Sequence, residues 1–158
     1  MRSVIIATFL TLLSACGGPE LDSQPDQGLA TLKGHWLVIN YWAQWCKPCI
    51  EEIPELNRLD AAYNDIQVLG VNYDGATGAD LEAQIATLGV AFRNLETDPA
   101  VELGYPRPIV LPTTVIIDPE GAVHSTLIGP QTEESLLAPI RGDDAVPGTA
   151  DGSASAAP

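Results

Sequence analysis

The chain has 158 residues, of which 46% are hydrophobic and 18% are charged, and it contains only three cysteines. There is enough apolar material for one compact domain, which excludes a chain disordered throughout, and three cysteines are too few for a small fold held together by disulfides. Seven basic side chains against 21 acidic ones give a net charge of −14, which excludes a nucleic-acid-binding protein because such a surface repels phosphate.

The first fifteen residues have the pattern of a secretory signal peptide. Arg2 precedes an apolar run at 4–13 that is too short to span a bilayer, and small residues follow it. The sequence LSAC at 13–16 resembles the lipobox of bacterial lipoproteins, which implies cleavage before Cys16 and lipid attachment to this cysteine. An ordinary signal peptide with an incidental cysteine, or a buried helix, is the alternative.

Lipidation predicts a simple layout for the exported chain. The signal peptide covers 1–15, a polar tether covers 16–29, and the folded domain covers 30–141. Several acyl chains hold a protein on a bilayer stably. We therefore expect the domain on the periplasmic side of the cell envelope, anchored to the inner or the outer membrane.

The folded part begins with two strands, each followed by a helix. Residues 35–42 are β-branched and aromatic with hardly a polar break, which is typical of a strand covered on both faces. Apolar residues at three-residue steps predict a helix over 46–62, kinked at Pro54. A second buried strand is predicted at 67–73, and helical spacing predicts a helix over 79–88.

Shorter elements follow in the second half. We expect a strand at 92–95 and a turn of helix at 99–103. The turn residues PEG at 119–121 predict a β-hairpin between strands at 113–118 and 123–128.

The last helix is predicted at 133–140, and residues 142–158 have the composition of a disordered tail. Helices alternate with the early strands and a hairpin follows. This order predicts an α/β fold in which a mixed β-sheet is flanked by helices on both faces.

The strongest functional signal is the sequence WCKPC at 45–49, where the first strand gives way to the first helix. Two cysteines three residues apart at a helix start lie on one side of the first turn, so their sulfurs can form a disulfide. Cys46 faces unpaired amides and the positive end of the helix dipole, which favour thiolate over thiol, and Lys47 adds a cation. We expect Cys49, one turn further, to be more buried and protonated.

With its neighbours, this motif resembles the TlpA/ResA/DsbE-like thioredoxins of the bacterial cell envelope. The matching segments are NYWAQWCKPC at 40–49, EIPEL at 52–56, GVNYD at 70–74 and LPTTVIIDPEG at 111–121. The resemblance covers roughly residues 30–140. It implies a thioredoxin-like fold with the extra central αβ insertion of TlpA-like proteins, and the activity of a thiol:disulfide oxidoreductase.

The resemblance also implies roles for single residues. Cys46 is the nucleophile, Cys49 is the resolving thiol, and Pro112 is a cis-proline opposite the disulfide. The backbone of Leu111 then pairs with the substrate strand. The other predicted substrate-binding residues are Trp45, Lys47 and Pro48.

Glu52 is a further candidate because it lies three residues after Cys49, one helical step away. In ResA-like proteins the matching glutamate lies beneath the cysteines and tunes their protonation. Thioredoxin itself uses a buried aspartate on the preceding strand, where this chain has Asn40. We therefore expect Glu52 to be the group that exchanges protons with the cysteines. The alternative is that Glu52 is a solvated glutamate on the helix surface. We expect Glu51 to face water.

One segment departs from the family pattern. Before Leu111 the chain reads GYPRPIV at 104–110, which is longer and richer in proline than the matching family segment. That loop lies beside the active site in family members, so we expect an unusual client.

The family implies partners as well as chemistry. We expect a reductase of protein disulfides, with cytochrome c maturation as one setting, that is re-reduced by a membrane electron donor of the DsbD/CcdA type. No organic cofactor or metal is required. The residues alone leave the direction of electron flow open, so a general protein disulfide oxidant is an alternative.

The sequence gives less support to other functions of the Cys46–Cys49 pair. A structural zinc site needs four ligands, and the chain has no second cysteine pair to supply them. A purely structural disulfide is also disfavoured, because closing so small a loop adds little stability. Nothing in the sequence fits a peroxidatic cysteine. A copper-carrying metallochaperone is the main alternative from another class, because a reduced pair can hold Cu(I), although the only methionine is Met1.

Overall fold

A computed structural model of the chain describes residues 29–142. The predicted signal peptide, Cys16 and residues 16–28 of the tether lie outside the described residues, as does the tail from residue 143 onward. Within 29–142, no helix is both long enough and apolar enough to cross a membrane.

A short 3₁₀-helix at Leu29–Leu32 precedes five strands and three α-helices. In chain order these are β1 (Trp36–Trp42), α1 (Lys47–Ala62), β2 (Ile66–Asn72), α2 (Gly78–Leu88), β3 (Arg93–Leu95), β4 (Thr113–Ile117), β5 (Val123–Ile128) and α3 (Glu133–Arg141). All eight agree with the predicted elements to within one residue at each end.

The turn of helix predicted at 99–103 is confirmed as a single turn that does not continue into a helix. The segment forms successive hydrogen-bonded turns, in which the Leu103 amide donates to the Pro99 carbonyl at 2.9 Å and the Tyr105 amide donates to the Ala100 carbonyl at 3.0 Å. Gly104 then adopts a left-handed conformation with φ 71°, which ends the helical path after one turn.

The strands form one mixed sheet in the order β3-β2-β1-β4-β5. The pairs β1/β2 and β2/β3 are parallel, whereas β4 runs antiparallel to β1 and to β5. The register places Asn40 between Gly70 of β2 and Thr114 of β4. It also places the start of β4 beside the end of β1, so the residues before β4 and those after β1 share one edge of the sheet.

Alternating side chains of the central strands build a core on each face. Val38 packs with residues of α1 and α3, and Trp42 packs with Leu81 of α2, so all three α-helices cover that face. Ile39 and Tyr41 point to the opposite face, which is covered by the 3₁₀-helix and by residues 100–105. Both faces therefore have helical cover, as predicted, but the second cover is short and largely irregular.

Candidate active site

The two cysteines form a disulfide at the start of α1. Cys46 is the N-cap residue, and its Sγ accepts a hydrogen bond from the Cys49 amide at 3.3 Å. Pro48 occupies one of the first helical positions, where its missing N–H costs no hydrogen bond. Both cysteines are buried, Cys49 slightly more than Cys46. A thiolate on Cys46 therefore forms where the free amides of the first helical turn stabilise it.

The segment before β4 meets the disulfide at the same edge of the sheet. The Leu111–Pro112 peptide bond is cis, as the sequence analysis expects. Leu111 packs against the apolar cluster that contains Cys46 and Cys49. The Pro112 carbonyl accepts the Gly129 amide at 2.9 Å, which ties this segment to the end of β5.

Glu52 lies inside the protein, one helical step beyond Cys49, and only 2% of its surface is exposed. Its Oε1 accepts a hydrogen bond from the Asn40 side-chain amide at 2.7 Å, and its Oε2 accepts the Gln131 backbone amide at 2.8 Å. The same Asn40 Nδ2 donates to Thr114 Oγ1 at 3.0 Å, while Asn40 Oδ1 is buried without a partner. Glu52 is therefore a buried, hydrogen-bonded carboxyl group and not a solvated helix glutamate.

The hydrogen bonds to Glu52 come only from neutral groups, so its charge is not balanced by a bonded cation. Burial raises the pKa of Glu52, against a smaller opposite effect of the hydrogen bonds from Gln131 and Asn40. A carboxyl group in this position exchanges a proton at a higher pH than a solvated one. Glu51, in contrast, is exposed and pairs with Lys47 at 3.7 Å, as expected for a side chain facing water.

The residues around the disulfide expose both apolar and charged groups. Trp45 is 66% exposed, and its indole N–H donates to the Asp74 carboxylate at 2.8 Å. Lys47 is almost fully exposed, and Pro48 is half-buried. Trp42 is fully buried in the cluster that contains both cysteines.

A polar network holds the proline-rich segment 104–110 to the sheet. The Tyr41 hydroxyl donates to Asp98 at 2.7 Å and lies 3.0 Å from the Tyr105 hydroxyl. Arg107 donates from Nε to the other Asp98 oxygen at 2.7 Å and from Nη2 to the Tyr73 carbonyl at 2.7 Å. Its guanidinium also stacks 4.2 Å from the centroid of the Tyr73 ring. We call these five residues the arginine clamp.

The ionisable groups of the arginine clamp are in the protonation states that its hydrogen bonds require. Burial, together with the hydrogen bonds to Tyr105 and Asp98, raises the pKa of Tyr41, and burial raises the pKa of Tyr105 to about 12. Burial opposes ionisation of Asp98, but hydrogen bonds from Tyr41, the Ala100 amide and Arg107 together hold its pKa below the usual range. At neutral pH the clamp therefore keeps neutral hydroxyls, a carboxylate and a cation.

Several residues of the site lie outside the set that the sequence analysis selected. Gln131 and Thr114 are far from the motif in sequence. Thr114 lies in the segment 111–121 that resembles the family, whereas nothing in the local pattern of Gln131 indicates a role. Asn40 carries a usable signal, since it is the one amide within an otherwise apolar strand. Arg107 and Asp98 carry no signal beyond the departure of 104–110 from the family pattern.

Within residues 29–142, no group of three or more His, Cys, Asp or Glu side chains is arranged to hold a metal ion. The described site is a disulfide at a helix N-terminus, beside a cis-proline segment and above a buried carboxyl group. On this sheet topology, these features define a thiol:disulfide oxidoreductase of the thioredoxin fold.

Comparison with known proteins agrees with that class. Residues 19–126 match the family model described as the AhpC/TSA family. The thiol-disulfide oxidoreductase ResA of Geobacillus kaustophilus is 31% identical over 124 residues, which cover 71% of each chain. The chain belongs to the AhpC/TSA family and, within it, to the thiol:disulfide oxidoreductases related to ResA.

Other relatives agree but are matched less completely. The thiol:disulfide interchange protein HelX of Rhodobacter capsulatus is 30% identical over 72% of this chain, but the match spans only 62% of HelX. Among solved structures, StoA from Bacillus subtilis superimposes with a TM-score of 0.56 and 25% identity, over 68% of this chain and 84% of StoA. A secreted thiol-disulfide isomerase from Corynebacterium glutamicum superimposes with a TM-score of 0.57 and is 26% identical. This match covers 69% of our chain and 70% of the isomerase.

Proposed function

We propose that this protein reduces disulfides of client proteins in the bacterial cell envelope through the Cys46–Cys49 pair. The observation that carries the proposal is the disulfide at the N-terminus of α1, at the sheet edge that Leu111 and Pro112 share. A pair placed in this way can alternate between dithiol and disulfide. The names of the relatives support the same chemistry.

The reaction starts from the reduced pair. The Cys46 thiolate attacks one sulfur of the client disulfide, which forms a mixed disulfide and releases the other client sulfur as a thiolate. Cys49 loses its proton, attacks Cys46 and releases the second client sulfur. The client gains two electrons, and the Cys46–Cys49 disulfide forms again. Two protons restore the client thiols.

Glu52 is proposed as the group that accepts the proton of Cys49. Its burial, its position one helical step beyond Cys49 and its raised pKa support this role, because a base that titrates closer to neutrality both accepts and returns a proton. Asn40 and Gln131 orient the carboxylate, since each donates to a different oxygen. We assign binding of the client strand to Leu111, Pro112, Trp45, Lys47 and Pro48.

The cellular setting is proposed from the sequence and the family. Cys16 is the proposed site of lipid attachment, which anchors the domain at the periplasmic side of a membrane. In an oxidising compartment a reductase needs a source of electrons, and a membrane donor of the DsbD/CcdA type fits that need. Client disulfides of cytochrome c maturation are the setting that the ResA-related family favours.

Replacement of each cysteine tests the mechanism. In the full chain carrying Cys16→Ser, we expect Cys46→Ser to abolish reduction of insulin disulfides, because the attacking sulfur is lost. We expect Cys49→Ser to accumulate a mixed disulfide with the client, visible by non-reducing electrophoresis and mass spectrometry. Full activity of the Cys46→Ser variant, or a mixed disulfide on Cys49 instead of Cys46, would contradict the assigned roles.

A further inference from the structure

Three exposed apolar side chains lie close in sequence to residues of the cluster that contains the disulfide. Trp45 adjoins Cys46, while Ile109 and Val110 adjoin Leu111, and their exposed fractions are 66%, 89% and 49%. Leu111 packs against the cluster that contains both cysteines, which brings the residues just before it near the reacting sulfurs. We call Trp45, Ile109 and Val110 the apolar rim. Exposed apolar side chains near a reactive pair are typical of a contact surface.

The apolar rim is held in position. The arginine clamp fixes Arg107 to Asp98 and to the Tyr73 carbonyl, two residues before Ile109. The Val110 carbonyl accepts the Thr113 hydroxyl at 2.8 Å. Pro106 and Pro108 restrict the backbone between these two attachments. A surface that is already ordered loses less conformational entropy when it binds.

Charge restricts what can bind there. The chain has 21 acidic and seven basic side chains, and the cation nearest the motif, Lys47, already pairs with Glu51. A strongly anionic partner is therefore repelled at moderate salt. The reaction itself brings a polypeptide to this place, since a client sulfur must reach Cys46.

From these observations we infer that the apolar rim is a specificity site for an extended client segment that carries a large apolar residue beside its reactive cysteine and no net negative charge. The inference rests on the proposed function and deepens it. Ile109 and Val110 supply the apolar contact on the cis-proline side, and Trp45 supplies it on the side of the motif. The arginine clamp positions the rim and does not touch the reacting atoms.

The test compares two disulfide-linked peptides that are identical except for leucine or glutamine beside the cysteine. The second-order rate of their reduction by the reduced Cys16→Ser chain is divided by the rate with bis(2-hydroxyethyl) disulfide, a small neutral disulfide. We expect a preference of about tenfold for the leucine peptide, since burial of part of a large apolar side chain is worth about that factor.

Variants locate the preference on the protein. We expect Ile109→Ser combined with Val110→Ser to bring the leucine/glutamine ratio close to one, and Arg107→Gln to lower it because the rim loses its support. The matched control is Val101→Ser, since Val101 is 94% exposed but lies outside the rim. This control is expected to keep the full ratio.

The possible failures are distinguishable. If the reduced chain reduces neither the small disulfide nor insulin, the proposed function fails. If it reduces both, but the ratio is already one or survives the Ile109→Ser/Val110→Ser change, the rim inference is overturned. It is also overturned if sedimentation detects a dimer that the same double change dissociates, because a second copy of the chain would then occupy the rim.

Discussion

At the scale of single residues, Glu52 is the group on which the chemistry of the site depends. Its carboxyl group is buried, and the hydrogen bonds that it accepts come from neutral groups of β1 and of the segment before α3. Cys46 and Cys49, at the start of α1, are joined in a disulfide in the described state, so neither has a thiol that titrates. In the oxidised protein the titration of Glu52 can therefore be followed apart from the thiols.

Replacement of Glu52 by glutamine is expected to stabilise the oxidised protein increasingly as the pH rises. The folded pKa of Glu52 lies above its unfolded value of 4.5, so between the two values the folded state binds more protons and wild-type stability falls with increasing pH. A glutamine has no proton to lose. The measurement is the midpoint of thermal unfolding for both proteins from pH 4 to pH 8.

The control for this experiment is Glu51→Gln, which removes a neighbouring carboxylate that is exposed and paired with Lys47. Exposed pairs contribute little, so this variant is expected to follow the wild-type pH dependence. If the Glu52→Gln and wild-type curves run parallel across the whole range, Glu52 does not have the raised pKa on which its proposed role depends.

The sequence identifies Glu52 through its spacing from Cys49, but it does not identify the partners of Glu52. Spacing on one helix is a local property with a fixed period, whereas Gln131 is 79 residues away and donates through its backbone, which any residue type provides. Asn40 is recognisable as a polar residue in an apolar strand. Its pairing with Thr114 follows only from the antiparallel register of β1 and β4.

At the scale of elements, a side-chain hydrogen bond links β1 to β3 at the end of β1, just before the motif. Across β2, the Trp42 indole N–H donates to the Asn94 side chain at 2.9 Å, and the path between them passes over Gly70. A Cβ at residue 70 would collide with the Asn94 amide and with Trp42. The missing side chain therefore allows a hydrogen bond that joins β1 to β3 across β2.

We expect Gly70→Ala to destabilise the protein by about 1–3 kcal/mol, the usual cost of overpacking a buried site. Urea denaturation of the oxidised protein measures this loss. Because the clash is mainly with Asn94, the Gly70→Ala/Asn94→Ala double variant is expected to lose less stability than the sum of the two single variants. Strictly additive losses would mean that the collision does not determine the cost.

The positions of helices and strands are predictable from this sequence because burial repeats with the period of each element. Residues 99–103 are too few to show a period, and they form a single turn that ends where Gly104 adopts a left-handed conformation. The arginine clamp is unpredictable for a different reason. Tyr41 and Asp98 are 57 residues apart, and their contact depends on how the segment before β4 folds back over the sheet.

At the scale of the whole molecule, the chain combines a strongly acidic composition with one redox-active pair. The class of protein follows from the WCKPC motif together with the alternation of strands and helices, and the fold agrees with that class. Net charge and composition exclude some classes of partner, such as nucleic acid, but they do not identify the client protein. Client choice instead depends on side chains around the motif, such as Ile109, which no general pattern marks.

The reduction potential of the Cys46–Cys49 pair tests the central claim most directly. The Cys16→Ser chain is equilibrated with dithiothreitol and glutathione buffers, and the fraction of free thiol is measured by alkylation and mass spectrometry. A reductase requires a potential near that of thioredoxin, about −270 mV, and this is the result that we predict. A value towards about −120 mV would make the protein an oxidant that forms disulfides, and it would contradict the proposed direction of electron flow.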